Sequence, residues 1–269
     1  MTLKKKRIVL EKLYEENNRR RYVHPDPLEF LYNYNEIRDR EIAGIIASSL
    51  SYGKVAQILK SVSIVLDKMG ASPFSFLQNT SHKELSRQFS GFKHRFATGE
   101  NLSIFLFGLK KAIEQHGSLN ECFLKGFSKE DDSIIPAMIF FSEQITKTKT
   151  SPGHLVPMPQ KGSACKRMNL FLRWMVREDR VDPGGWKGIP ISRLIIPLDT
   201  HMHKMGFLLG FTRRRQADMT TAVEITEGFR KIVPHDPVKY DFSLTRLGIR
   251  KDMDMDVFFS RNMMKKTEG

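Results

Sequence analysis

Only two cysteines, Cys122 and Cys165, occur in a chain of 269 residues. Two thiols cannot supply a disulfide framework, nor a four-cysteine zinc or iron–sulfur site within the chain. Such sparse use suits a reducing compartment, so a cytoplasmic protein is expected. Long apolar runs are also missing: nothing approaches the roughly 20 residues that a membrane-spanning helix needs. The opening MTLKKKRIVLEKLYEEN carries basic residues with no apolar segment behind them, so neither a secretory leader nor a membrane partner is expected. Stretches alternating with period two are few, and there is no internal repeat or low-complexity tract. Acidic residues are the remaining shortage, 30 Asp and Glu against 44 Lys and Arg, for a net charge of +14. A surplus of that size points to an anionic partner, of which nucleic acid is the commonest. The plain alternative is a soluble basic protein with no such partner.

What the chain does have is helical periodicity. Residues 3–18 read as a short basic amphipathic helix, followed by a loop punctuated by Pro25 and Pro27. Ile42, Ile45, Ile46 and Leu50 share one helical face; Val55, Ile58, Leu59, Val62, Val65 and Leu66 share a second, beyond a break at Ser51–Gly53. Gly70 closes that helix, and Pro73 opens another short element. A helix with Leu102, Phe105, Leu106, Leu109 and Ile113 on its apolar face ends at Gly117. DDSIIPAMIFFSEQI begins with Asp or Ser caps. Further helices are predicted at 164–177, 200–209 and 217–232, with a closing one in DPVKYDFSLTRLGI. The fold class is all-α. The length allows one large domain or two small ones, with a core that needs no covalent staples.

Two stretches carry candidate chemistry. In PMPQKGSACKRMN a tight turn over Gly162, Ser163 and Ala164 leads into a helix near Cys165. Unpaired N–H groups at a helix start, with Lys161, Lys166 and Arg167 beside them, can hold a phosphate. An ordinary helix–loop–helix with solvated lysines is the alternative. In IIPLDTHMHKMG, Asp199 precedes a predicted helix and reads first as its N-cap. A metal site would need His201 and His203 to converge, yet residues two apart on a helix point in different directions. No metal is expected. Trp174 fits core packing at helical spacing, whereas Trp186 in DPGGW either stacks on a ligand or seals its loop.

Together the two stretches resemble the signatures of the helix–hairpin–helix DNA glycosylase superfamily. The endonuclease III-like hairpin, Gly-x-Gly-x-Lys followed by Asn, is matched by Gly162, Ser163, Ala164, Cys165, Lys166 and Asn169. The second signature, a hydrophobic residue and then Asp-Thr-His, is matched by Leu198, Asp199, Thr200 and His201. The longer loop over 178–196 is similar to the archaeal 8-oxoguanine glycosylase branch. The whole chain most closely resembles a bacterial family of unknown function, a DUF2400-type family, through KGSACKRMNLFLRWMVR, DPGGW and PLDTHM. Ala164 departs from the hairpin pattern, because the second glycine position calls for φ > 0, which alanine resists.

The resemblance implies two helical subdomains with a cleft between them. It divides the chain into a basic N-terminal arm and loop (1–35), a glycosylase-like domain (36–250) and a C-terminal tail (251–269). It implies a base-excision DNA repair enzyme, a glycosylase and abasic-site lyase, that removes an oxidised purine such as 8-oxoguanine from double-stranded DNA. Such an enzyme would be a nucleoid-associated monomer with no cofactor. Lys166 would be the nucleophile, acting as a neutral amine, and Asp199 would take its proton or stabilise charge on the sugar. Lys161, Gly162, Ser163, Ala164, Arg167 and His201 would hold the DNA backbone. Tyr52, Gln57 and Trp186 would form the base pocket or wedge, since the target base must leave the stack. The alternative function is a non-catalytic nucleic-acid-binding protein on the same fold. A metal hydrolase built on Asp199, His201 and His203 is the weakest reading.

Overall fold

The computed structural model describes residues 2–249. The expected tail at 251–269, and residue 250 of the expected domain, lie outside the described residues. Among the described residues the architecture is all-α apart from one two-stranded ribbon.

Helix α1 (Leu3–Asn17) buries Leu10 and Leu13 and leaves Leu3 and Ile8 exposed, the loose amphipathicity its sequence predicts. Helices α2 (Ile37–Ser49) and α3 (Val55–Met69) break where expected, and Gly70 leaves α3 with φ +73, a conformation that glycine adopts without strain. In α4 (Pro73–Asn79) the Ser72 hydroxyl accepts from Ser75 N–H and Pro73 occupies the first turn. Helix α5 (His82–Gln88) and the ribbon β1 (Lys93–His94) and β2 (Ala97–Thr98) are not foreseen, being too short to show a period. Thr98 and Asn101 form a reciprocal cap on α6 (Gly99–His116). Helix α7 (Leu119–Lys125) follows. At the start of helix α8 (Ile135–Thr146) Ile134 stands at the N-cap position without a side-chain oxygen, but Ser133 Oγ accepts from Ile135 N–H at 3.3 Å, and Pro136 in the first turn removes one further donor. Helices α9 (Lys166–Val176), α10 (Thr200–Leu208), α11 (Met219–Arg230) and α12 (Asp241–Ile249) complete the chain within a few residues of the predicted spans.

Helix α2 is the central post. Glu41 through Ser49 are all buried, and α2 packs on α9 and on the 3-10 segment Pro27–Asn33. Gly44 permits this approach: a Cβ there would stand 3.3 Å from both Leu31 and Phe171. Helices α6, α7 and α8 pack together on one side, and α12 contacts both α10 and α1 on another. The buried apolar residues form one cluster, which includes Leu10, Leu13, Val23, Leu28 and Leu31. Those five side chains tie α1 and the segment that follows it into this cluster. Lys239 and Tyr240 hold α1 from the other end, at 2.7 Å and 2.8 Å from the Glu11 carboxylate.

Candidate active site

Lys166 is the first residue of α9, and the hairpin before it sets its direction. A 3-10 turn, Pro159–Lys161, ends in Gly162 with φ +78. Ser163 then pairs antiparallel with Asp218, and Met219 N–H donates to the Gly162 carbonyl at 3.4 Å. The second positive φ falls on Cys165, at +47, and not on Ala164. This corrects the sequence expectation: the turn accommodates Ala164 by passing the left-handed conformation to its neighbour. A non-glycine residue there costs on the order of 1–3 kcal/mol and persists because its surroundings hold it. Cys165 is buried, its N–H donates to Ser163 Oγ at 3.2 Å, and Asn169 Nδ2 donates to the Ala164 carbonyl at 3.1 Å. No side chain caps the start of α9.

Asp199 is the N-cap of α10, as its sequence context predicts. Its Oδ1 accepts from Met202 N–H at 2.9 Å, and its Oδ2 lies 3.1 Å from Lys166 Nζ. The capping and catalytic readings thus use different oxygens of one carboxylate. Burial pushes the Asp199 carboxyl up, but Lys166, the Met202 N–H and His201 together outweigh it and hold the group below the usual carboxylate range. The Lys166 side chain is 36% exposed and that of Asp199 21%, so the pair is reachable from solvent.

Both groups line a cavity of about 260 Å³. Its apolar wall comes from Pro25, Pro27, Val55, Ile58, Leu170, Trp174, Pro197 and Phe242; Asp26, His201, Arg173 and Asp241 add polar edges. That size is near the lower end of small-ligand pockets, roughly 300 Å³. Lys166 also borders a shallower hollow of about 370 Å³ on the hairpin side, with Ser51, Tyr52, Ser163 to Cys165 and Arg167. The amine therefore stands at the junction of an inner pocket and an outer groove.

Beneath the inner pocket runs a buried ion network. Arg173 pairs with Asp182 at 3.2 Å and with Asp241. Arg177 pairs with Asp179 and Asp236, each at 2.9 Å, and with Asp182; Arg246 pairs with Asp26. These pairs pin the loop after α9 to α12 and to the segment before α2. Burial, larger than the opposing pull of Arg173, pushes the Asp241 carboxyl up to about 6, with the Asp199 charge contributing. Asp26, Arg173 and Asp241 are absent from the sequence reading. No motif marks them, because they reach the cavity from three separate elements.

The other expected residues divide by location. Lys161, Gly162 and Ser163 are exposed along the hairpin and His201 is exposed beside the cavity, while Ala164 is buried. Arg167 is spoken for: its guanidinium donates to the Ser49 carbonyl at 2.7 Å and to the His154 carbonyl. It binds the protein's own backbone, and its charge borders the outer hollow. Tyr52 lines that hollow, whereas Gln57 is exposed on α3 and lines neither space. Trp186 is 3% exposed, packs against Phe123, Phe141 and Phe171, and donates to Glu41 Oε2 at 2.9 Å. It seals its loop and does not line the cavity, which removes it from the base pocket. His203 bonds the Arg214 carbonyl at 2.9 Å and is not among the residues lining the cavity with His201 and Asp199. Among the described residues no helix is long and apolar enough to cross a membrane.

A family model described as "Protein of unknown function (DUF2400)" matches residues 26–250. That span includes the hairpin, Lys166, Asp199 and every residue lining the inner cavity except Pro25. No curated protein and no solved structure matches the chain.

Proposed function

We propose that this chain, which belongs to the DUF2400 family, is a DNA glycosylase and abasic-site lyase on a helix–hairpin–helix fold, with its cleft between two helical subdomains. One observation carries the reading: Lys166 Nζ and Asp199 Oδ2 lie 3.1 Å apart at the mouth of one cavity. A carboxylate within reach of an amine can serve as the general base that activates it.

Asp199 Oδ2 takes a proton from the Lys166 ammonium. The freed electron pair attacks C1′ of the turned-out nucleotide, and the C1′–N bond breaks with its electrons passing to the departing base. Nζ gives one of its two protons to the departing base; the C1′–O4′ bond then breaks as O4′ takes the proton held on Asp199 Oδ2, leaving a protonated Schiff base between C1′ and Nζ. The regenerated Asp199 carboxylate takes a C2′ proton, and the C3′–O bond breaks to expel the 3′ phosphate by β-elimination. The second Asp199 oxygen stays on Met202 N–H, so the carboxylate is held in place while the proton moves. The inner cavity would take the base, and the exposed hairpin at Lys161, Gly162 and Ser163 would take the backbone phosphates. Net charge +14 supports duplex DNA as the partner. The choice of an oxidised purine rests on the loop between α9 and α10, whose length resembles that of the 8-oxoguanine branch.

Borohydride trapping tests the reading. Duplexes carrying 8-oxoguanine or an abasic site are expected to give a covalent adduct with the wild type and none with Lys166→Ala. Absence of an adduct from every lesion and from the abasic duplex would overturn the enzymatic assignment. Salt-dependent binding that survives Lys166→Ala and Asp199→Asn, with no base release by the wild type, would instead establish a non-catalytic binding protein.

A further inference from the structure

We infer that Phe96, at the tip of the β1–β2 ribbon, is the wedge that fills the duplex stack when a nucleotide turns out toward Lys166. The inference deepens the glycosylase reading and rests on it for the identity of the partner, duplex DNA.

Phe96 is 74% exposed, more than any other exposed large hydrophobic side chain among the described residues. A single exposed apolar side chain is common on a protein surface, so what matters here is where this ring stands. The turn itself is strained: Arg95, a non-glycine residue, has φ +52. It persists because the base of the ribbon is fixed on several sides. His94 is buried, with Nδ1 at 2.9 Å from Ser61 Oγ and Nε2 at 3.1 Å from the Tyr52 carbonyl. Its own carbonyl accepts from Tyr52 Oη at 3.0 Å. The result is a rigid two-residue tip that presents a ring and a guanidinium, with Arg95 lying 5.4 Å over Phe96.

The tip is also in the right place. A Cβ on Gly53 would stand 2.8 Å from Arg95 Cδ, and Gly53 lines the same inner cavity as Lys166 and Asp199. On its other side the Phe96 ring is 6.3 Å from that of His154, whose Nε2 lies 2.8 Å from Tyr52 Oη. Tyr52 lines the outer hollow with Lys166. The ribbon tip thus stands beside both spaces that meet at the amine. Aromatic and apolar side chains inserted between base steps unstack them and stabilise a kinked duplex.

The earlier wedge candidates fit less well. The Tyr52 ring is enclosed by His94 at 4.6 Å, His154 at 5.0 Å and the Arg167 guanidinium at 5.2 Å, with its hydroxyl engaged at both ends. It serves as the footing of the tip. Gln57 is exposed but lines neither space.

The test needs no chemistry. A duplex carries a tetrahydrofuran abasic analogue with 2-aminopurine as the adjacent base, and emission and affinity are read against an intact duplex. The wild type is expected to raise the emission on binding the tetrahydrofuran duplex. Phe96→Ala should lose that rise and bind that duplex about ten-fold more weakly, the scale of one lost aromatic–base stack, and Phe96→Trp should restore both. The side chain is exposed, and a thermal melt verifies that each variant folds. Wild-type behaviour in Phe96→Ala, or no emission change with the wild type, would overturn the wedge. Borohydride trapping on a single-stranded abasic oligonucleotide separates the two claims. Trapping with a Phe96-independent emission change leaves the enzyme and removes the wedge. A Phe96-dependent change without trapping leaves the wedge and removes the lyase.

Discussion

The Asp199 carboxylate shares itself between its own helix and Lys166: Oδ1 accepts from Met202 N–H at 2.9 Å while Oδ2 meets Lys166 Nζ at 3.1 Å. A single side chain thus stabilises α10 and orients the amine. The two roles are separable by substitution because only one of them requires charge.

Asp199→Asn keeps an oxygen for the Met202 N–H, and Asn is as good an N-cap as Asp. At neutral pH its melting temperature is expected to fall only by what the charge pairing with Lys166 contributes, while single-turnover base release falls by about 10²–10⁴. Asp199→Ala removes the cap as well and should lose a further ~1 kcal/mol of stability by denaturant titration. Equal stability of the Asn and Ala variants would contradict the capping role.

The two carboxyls at the cavity should affect stability against pH with opposite sign. Asp199 is held below its ordinary value of 3.8, so the unfolded chain binds its proton more tightly. Its contribution is present above 3.8 and lost as the pH falls through the folded value. Asp241 is raised from 3.8 to about 6 by burial, so the folded state holds that proton more tightly. Its contribution is full below 3.8 and declines as the pH rises to about 6. Urea melts should show Asp241→Asn gaining on the wild type across that window and Asp199→Asn losing its relative deficit in acid. Parallel profiles for all three proteins would contradict both assignments.

Trp186→Phe deletes the indole donor to the buried Glu41 carboxylate, leaving it the Leu119 and Asn120 N–H groups. The expected loss is about 1–3 kcal/mol, read as a lower denaturation midpoint. Lesion preference in the trapping assay should not change. A shift of preference without destabilisation would return Trp186 to the base pocket.

Lys161 and Arg167 should respond differently despite equal charge. Lys161 is exposed on the hairpin, so Lys161→Ala is expected to weaken DNA binding uniformly across sequences and reduce the salt slope by about one. Arg167 forks between the Ser49 and His154 carbonyls, and a lysine ammonium cannot reproduce that planar fork. Arg167→Lys is expected to cost about 1 kcal/mol of stability, with the salt slope retained. A fall in salt slope for Arg167→Lys would show that it does contact phosphate.

Most helices were legible because their signals are local. The α2–α3 break at Ser51–Gly53, the exit through Gly70, the Asp199 cap and the start of α9 near Cys165 each follow from a few consecutive residues. Of the short elements, α4 was legible through Pro73, and others were not. Helices α5 and α7 span about two turns, and the ribbon at Lys93–Thr98 offers two residues per strand, too few to set a period. The ribbon tip was missed for that reason.

The sequence by itself determined a basic all-α chain, its longer helices, and an amine and an acid each placed at a helix start. Tertiary structure alone decided that Lys166 and Asp199 meet, that Asp241 and Arg173 lie beside the same cavity, that Trp186 is core, and that Arg167 is turned inward. Periodicity and caps are written in neighbouring residues. Convergence of side chains depends on how α9 rests on α2 and α10 on α12, and those packings are set by the whole core at once.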